Sequence, residues 1–394
     1  MSHAPGMPGG SRILTGIVIF VAAAAVAGMI LLWPGEIEET NVEGLRSVSF
    51  ESVVLSNEEG PCPGAVPDDG LQCRVIGLRL TEGPGSGDEI EIAIPKTQTF
   101  ADVGPGEGVI LGATPGVDPP DYRILDRNRK APLIWLAALF AIVVVALGRL
   151  RGLAALAGLA VSLLVLLKFV LPAILDGSSP LLVSIIGATV IAYPALYLAH
   201  GFSPMTTIAL IGTFGGFIVA AFLASVFTEL ANISGFVTDE AFILQAAGTD
   251  INVSGLILGG IIIGALGAID DAAVTQASSI WELSSANPSI SRRNLFRSGM
   301  RIGSSHVASM VNTLVLAYAG ASMPLFVLLV LSEQSLGTAA NGEVIATEII
   351  RTLVGSIGLI ASVPITTWLA ARFVPQVSRP GGAPARSGRD TSPS

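Results

Sequence analysis

Charged residues are scarce. Asp, Glu, Lys and Arg make up 13% of the chain, against roughly 25% in soluble domains. That shortage excludes an ordinary soluble protein. Basic residues nowhere gather into a domain, so nucleic acid is not an expected partner. The formal net charge of −9 carries no such message either, because the acids sit in loops and in one segment before residue 130. Histidine and cysteine do not cluster, which argues against a soft-metal carrier. His-Glu-x-x-His is missing, which excludes the usual zinc protease. No serine has a lysine or histidine at a credible spacing for nucleophilic catalysis. The chain is therefore not expected to be an enzyme. No cofactor is expected, and no metal can be assigned.

Long apolar runs are abundant, in a chain that is 51% hydrophobic. Eight of them approach or exceed the roughly 20 residues needed to cross a bilayer: about 13–33, 132–148, 153–175, 181–199, 205–228, 254–276, 307–331 and 351–373. The first follows a flexible tail, 1–12, and reads as an uncleaved anchor rather than a signal peptide, since no Ala-x-Ala site closes it. Arg149 and Arg151, then Arg292, Arg293, Arg297 and Arg301, then Arg372, Arg379, Arg386 and Arg389 fall on one side of the membrane if both termini are cytoplasmic. The intervening loops carry acids, among them Asp176, Glu229, Asp239 and Glu343, against Arg351 alone. This obeys the positive-inside rule. The expected architecture is an all-α bundle of about eight helices in a bacterial plasma membrane. A seven-helix domain would cover 132–373, and a disordered cytoplasmic tail 374–394.

Residues 34–131 then form a single extracytoplasmic segment. Stretches 47–55, 74–80, 89–95 and 108–112 alternate between apolar and polar residues and are separated by Gly/Pro/Asp turns, the pattern of short strands. A small β-rich domain of about five strands is expected, with a weak leaning to an OB-like or SH3-like form. Its plain role would be structural, or docking of an envelope protein partner. Cys62 and Cys73 lie in its Pro/Gly/Asp-rich loop and read as a local disulfide in an oxidising compartment, with two free thiols as the alternative. The charged run Tyr122–Lys130 leads into the second apolar stretch and is expected at headgroup level.

The anomaly is in the sixth stretch, where Asp270 and Asp271 stand side by side in Gly264-Ala-Leu-Gly-Ala-Ile-Asp-Asp-Ala-Ala-Val-Thr-Gln-Ala-Ser-Ser-Ile-Trp-Glu282. A charge at membrane depth costs about 2.5–3.5 kcal/mol on insertion scales. At helical spacing Gly260, Gly264, Gly267, Asp271, Thr275, Ser278 and Glu282 form one stripe. Its glycine half is expected to let another helix approach closely. Asp270 projects about 100° away from that stripe. A helix from Ser254 to Glu282 would run about 42 Å, placing Asp271 about 10 Å inside the hydrocarbon, with Trp281 at the interface.

Other spans carry polar groups at similar depth: Tyr193, Tyr197 and His200; Thr206 and Thr207; His306, Ser309, Asn312 and Thr313; Ser362, Thr366 and Thr367. Hydroxyls in a span often do no more than bond their own i−4 carbonyl, yet five spans contribute here. The loop after Asn287-Pro288 reads as a short basic interfacial helix capped by Ser291, lying on anionic lipid. Alternatively, Arg301 or His306 reaches Glu282 or the aspartates as a counter-charge. Thr238–Gly248 reads as a capped surface helix, and Gly212-Thr-Phe-Gly-Gly216 with Ala220 as a packing ridge.

The aspartate segment, together with Arg301-Ile-Gly-Ser-Ser-His-Val-Ala-Ser-Met-Val-Asn-Thr-Leu-Val-Leu-Ala-Tyr-Ala-Gly320 and Glu348-Ile-Ile-Arg-Thr-Leu-Val-Gly-Ser-Ile-Gly358, resembles the YibE/F-like bacterial membrane proteins, closest to their actinobacterial branch. The resemblance implies a polytopic membrane protein, a class sometimes suspected of transport, and carries over no catalytic residues. The leading expectation is a secondary transporter or ion-coupled permease. Asp270 and Asp271 would bind a proton or hard cation, with Thr275, Asn312, Thr313 and Thr366 as oxygen ligands or hydrogen-bond partners. The competing expectation is an envelope scaffold or signalling protein working through its external domain.

Overall fold

A computed structural model describes residues 9–35, 48–62, 72–83, 85–98, 100–113, 121–236, 239–246, 252–332 and 335–375. Both expected tails lie largely outside these. The chain divides into two compact units, Glu39–Leu147 and Met1–Glu38 with Gly148–Ser394.

The smaller unit contains five strands, β1 (Val48–Pro61), β2 (Gln72–Leu80), β3 (Glu89–Pro95), β4 (Gly108–Ala113) and β5 (Tyr122–Arg127), followed by helix α2 (Lys130–Gly148). The strands make one antiparallel sheet in the order β3-β2-β1-β4-β5, curved into a half-barrel. Bulges at Val54/Ser56 and Ile110/Leu111 break the register and bend the strands that carry them. Alternating residues fill the concave face, among them Val54, Ile76, Leu78, Val109 and Leu111, all buried. A disulfide joins Cys62 to Cys73.

The run Tyr122–Lys130 forms the fifth strand over Tyr122–Arg127 and then enters α2 at Lys130, with several of its charges paired: Arg127 with Glu107 (3.2 Å), Arg129 with Asp126 (2.7 Å) and Lys130 with Glu51. Hydrogen bonding from Lys96, with Arg74 behind it, holds the Glu59 carboxyl below the usual carboxylate range; Arg129 does the same for Asp126. Helix α2 is apolar on all sides, the pattern of a lipid-facing span.

In the larger unit, α1 (Gly9–Leu31) precedes α3 (Leu150–Val165), which runs through a π-helical turn (Leu166–Val170) into α4 (Leu171–Leu175). Then come α5 (Pro180–His200), α6 (Pro204–Leu230), the short α7 (Asp239–Ala246) and α8 (Val253–Ala286). Last are α9 (Arg292–Ala321), α10 (Met323–Leu331), the short α11 (Leu336–Asn341) and α12 (Glu343–Phe373). Thr238 and Gly248, the expected ends of the surface helix now seen as α7, lie outside the described residues. Among the described residues, seven helices are long and apolar enough to cross a membrane, or eight if the bent pair α9–α10 counts as one span.

That pair departs from expectation. The short basic helix and the span 307–331 do not form as separate elements. Ser291 does cap, accepting from Asn294 N, but the helix then continues unbroken for 30 residues. Nothing between Arg292 and Ala321 stops it, and Leu295, Gly299 and Gly303 are buried, so its first turns pack against protein. It breaks instead by 65° ahead of Pro324, which lacks the N–H a continuous helix would need.

The core of this unit is the crossing of α6, α8 and α12. A Cβ on Gly216 would stand 2.6 Å from the Gly358 carbonyl and 3.0 Å from Ile269 Cγ2; one on Gly358 would meet Ala220 Cβ at 2.7 Å. Gly212 faces Thr366 more closely still. The Gly212–Gly216 ridge therefore brings three backbones together, as small residues do in membranes. Glycines on α8 divide by face. Gly255 meets Pro180 at 3.2 Å and Gly259 packs on Ser184, both of α5, whereas Gly260 and Gly267 meet nothing within 4 Å. Of the glycine stripe expected to pack, Gly260 and Gly267 are open, while a Cβ on Gly264 would meet the Tyr318 hydroxyl of α9 at 3.2 Å. Gly216→Val should cost about 1–3 kcal/mol by forcing α6 from α12, while Gly267→Ala should be neutral or stabilise by up to about 1 kcal/mol. Thermal unfolding of the full chain in detergent separates the two; equal shifts would contradict this packing.

Candidate functional site

Asp270 sits at the midpoint of α8, one residue past the Ile269 wedge. The residue as a whole is half-buried, but its Oδ1 is sealed from solvent and has no hydrogen-bond partner. Its polar neighbour is the Thr213 hydroxyl of α6, within hydrogen-bonding reach of the carboxyl; Thr213 is fully buried and bonds no other group. The next residue back on α6, Gly212, receives the side chain of Thr366 from α12, and Thr366 Oγ1 is likewise buried without a partner, as are the hydroxyls of Ser184, Thr228 and Thr347 elsewhere in the unit. One turn of α6 thus collects unpaired oxygens from three helices.

Many other hydroxyls in the bundle are bonded to their own helix. Ser162, Thr189, Ser225, Ser279, Thr352 and Ser356 each donate to the carbonyl four residues back, at 2.7–2.9 Å. That back-bond is the ordinary fate of a Ser or Thr in a helix. Thr213 and Thr366 forgo it although buried, where an unmade hydrogen bond costs about 1–3 kcal/mol.

Asp271 has a different setting. It is exposed, on the open face with Gly260, Gly264 and Gly267. It lies within electrostatic reach of His200 at the end of α5, as does Arg151. One turn further along α8 a groove of about 610 Å³ opens, lined by His200, Met205, Thr275, Ser278, Glu282 and Ile302 among others. The two adjacent acids therefore face different surroundings, Asp270 toward the helix crossing and Asp271 toward the groove side.

The remaining expected residues do not converge. Asn312 and Thr313 are exposed on α9, and Thr313 simply donates to the Ser309 carbonyl at 3.0 Å. Arg301 and His306 are exposed too. Arg301 bonds Ser298 Oγ (3.1 Å), and among the described residues no ion pair joins it to Glu282 or either aspartate. The turn of α9 that would aim these groups at α8 instead presents Gly299 and Gly303. Tyr193 and Tyr197 are engaged elsewhere, with the Val18 carbonyl (2.6 Å) and the Thr207 hydroxyl (3.2 Å).

Two contributors were not anticipated as site residues. Thr213 lay within the glycine ridge and was read only as packing. Gln276, almost fully buried, donates through Nε2 to the Gly299 carbonyl (2.9 Å) and to Thr367 Oγ1 (2.6 Å). It ties α8 to α9 and α12 below the acid. A lone amide in an apolar run was the available signal. Gln276→Leu keeps the bulk but strands the Gly299 carbonyl, and should destabilise the folded bundle by about 1–3 kcal/mol. Unfolding of the variant in detergent checks this, and wild-type stability would contradict the clamp.

The family model described as YibE/F-like protein matches residues 136–376, the stretch that contains α5, α6, α8, α9 and α12. Neither curated proteins nor solved structures contain a match to the chain.

Proposed function

The chain belongs to the YibE/F-like family of membrane proteins, and from that premise we propose that it is an ion-coupled permease whose coupling acid is Asp270. The single observation that supports this is the unpartnered Oδ1 of Asp270 at the α6–α8–α12 crossing. Ionisable groups inside a span are costly, and where they are kept they mark ion pathways and proton relays. A carboxyl that meets a buried hydroxyl from another helix, one able to donate or accept, is built to change partners. A purely structural acid would have its hydrogen bonds made.

In this reading the protein lies in the bacterial plasma membrane with both termini cytoplasmic, so the groove of His200 and Glu282 opens to the cytoplasm. Asp271, Thr275 and Ser278 would line the approach from that groove. The ion is a proton or a monovalent hard cation. The protein is a carrier without catalytic activity. A second reading, an envelope scaffold or signalling protein, draws on the half-barrel, which has its own buried core and disulfide and would offer a docking surface to an envelope partner. Reconstituted full-length protein should dissipate an imposed pH gradient in liposomes. Asp270→Asn should fall to the rate of empty liposomes, and Asp271→Asn should retain most of the flux. Undiminished flux in Asp270→Asn would remove that residue from the mechanism, and no flux from the wild type would favour the scaffold.

A further inference from the structure

An acid at the centre of a membrane bundle is tolerated in three ways: with a cation beside it, with a full set of donors, or with a proton on it. The surroundings of Asp270 decide among these. Among the described residues the one donor within reach of the carboxyl is the neutral Thr213 hydroxyl, far short of a full set. On its own helix the neighbouring charge is Asp271, of the same sign. α6 and α12, which pack against α8 at this level, present Thr213, Gly216, Gly358, Ser362 and Thr366 there, none of them ionisable. On α5, His200 is engaged electrostatically with Asp271, and Arg151 of α3 acts on the same imidazole. On α9, Arg301 and His306 are exposed and directed elsewhere. No basic side chain therefore faces the carboxyl.

A metal cation fits no better. Hard cations want about six oxygen ligands, and among the described residues no three His, Cys, Asp or Glu gather anywhere to hold one. At Asp270 the ligands would be one carboxylate and the Thr213 hydroxyl, in a crossing so tight that glycines are required. A proton needs neither room nor a cage.

We propose that Asp270 is a proton-binding site in which the carboxylic O–H donates to Thr213 Oγ1. This rests on the permease reading and deepens it by naming the proton as the coupling ion. The atoms balance simply. The proton taken from water bonds a carboxylate oxygen, the Thr213 oxygen accepts it, and the Thr213 hydrogen turns to the Ala209 carbonyl, four residues back. Loading thus makes Thr213 the acceptor of the pair; on release its hydroxyl turns back to donate to the carboxylate. The partly exposed side of Asp270, next to Asp271, is the route by which the proton arrives.

Infrared difference spectroscopy of the full chain in liposomes reads the site without any transport assay. Acidification should produce the carbonyl stretch of a protonated carboxyl. The band should vanish in Asp270→Asn, persist in Asp271→Asn, and move to higher frequency in Thr213→Val, which removes the acceptor. Thr213→Ser should restore the wild-type position, and Asp270→Glu, which keeps the acid, should keep a band. A band that survives Asp270→Asn, or one that sodium abolishes at fixed pH, would overturn the proposal. The failures separate cleanly. The band without proton flux would sink the permease and leave the site standing, and flux without the band would sink the site.

Discussion

At the crossing of α6, α8 and α12, Ile269 is wedged between Gly216 and Gly358, and neither glycine could carry so much as a methyl group without displacing a neighbour. The rest of the membrane unit depends on that contact. It fixes the rotation of α8, so that Asp270 meets the crossing while Asp271, one residue on, is turned out. It also sets the depth at which Thr213 and Thr366 arrive. A wider crossing would admit lipid or water between the helices, and the unpartnered oxygens would then be ordinary solvated groups. Tight packing makes their lack of partners consequential. Below it, the Gln276 clamp holds α9 and α12 in register with α8, so the crossing is braced on the side where α9 joins.

Much of this was legible in the residues, and what was hidden was hidden for identifiable reasons. Apolar runs located most of the helices, because length and hydropathy alone decide whether a segment suits a bilayer. The Gly212–Gly216 ridge announced its own packing. Strand β5 was not among the four stretches read from alternation, because Arg123, Asp126 and Arg127 give its short span a charged rather than an alternating look. Helix α9 was misread for the opposite reason: its first turns are too polar to look like part of a buried helix, yet Gly299 and Gly303 make them one. Pro324, set within an apolar run, was the sign of the break that hydropathy concealed.

The site was only partly readable. Asp270 and Asp271 stood out from cost alone, and their separation onto two faces followed from helical geometry. Which face was packed did not. The glycine stripe suggested close approach, but α8 packs instead through Gly255 and Gly259 on α5, leaving Gly260 and Gly267 bare. Small residues permit contact without requiring it; bulky ones such as Ile269 and Ile280, fully buried, determine the inward side. That rotation removed Asn312, Thr313 and the Arg301 counter-charge from the site and brought in Thr213. Of the expected oxygen partners Thr366 alone lies at the crossing, with Thr275 on the groove.

The central claim is that Asp270, and not its neighbour, is the acid that exchanges a proton within the membrane. A hydrophobic carbodiimide, which modifies protonated carboxyls from the lipid phase, tests it directly on the full chain in liposomes with the adduct mapped by mass spectrometry. The account predicts modification at Asp270 that declines as the pH is raised, with Asp271 unmodified. An adduct on Asp271 alone, or labelling of Asp270 that ignores pH, would contradict it.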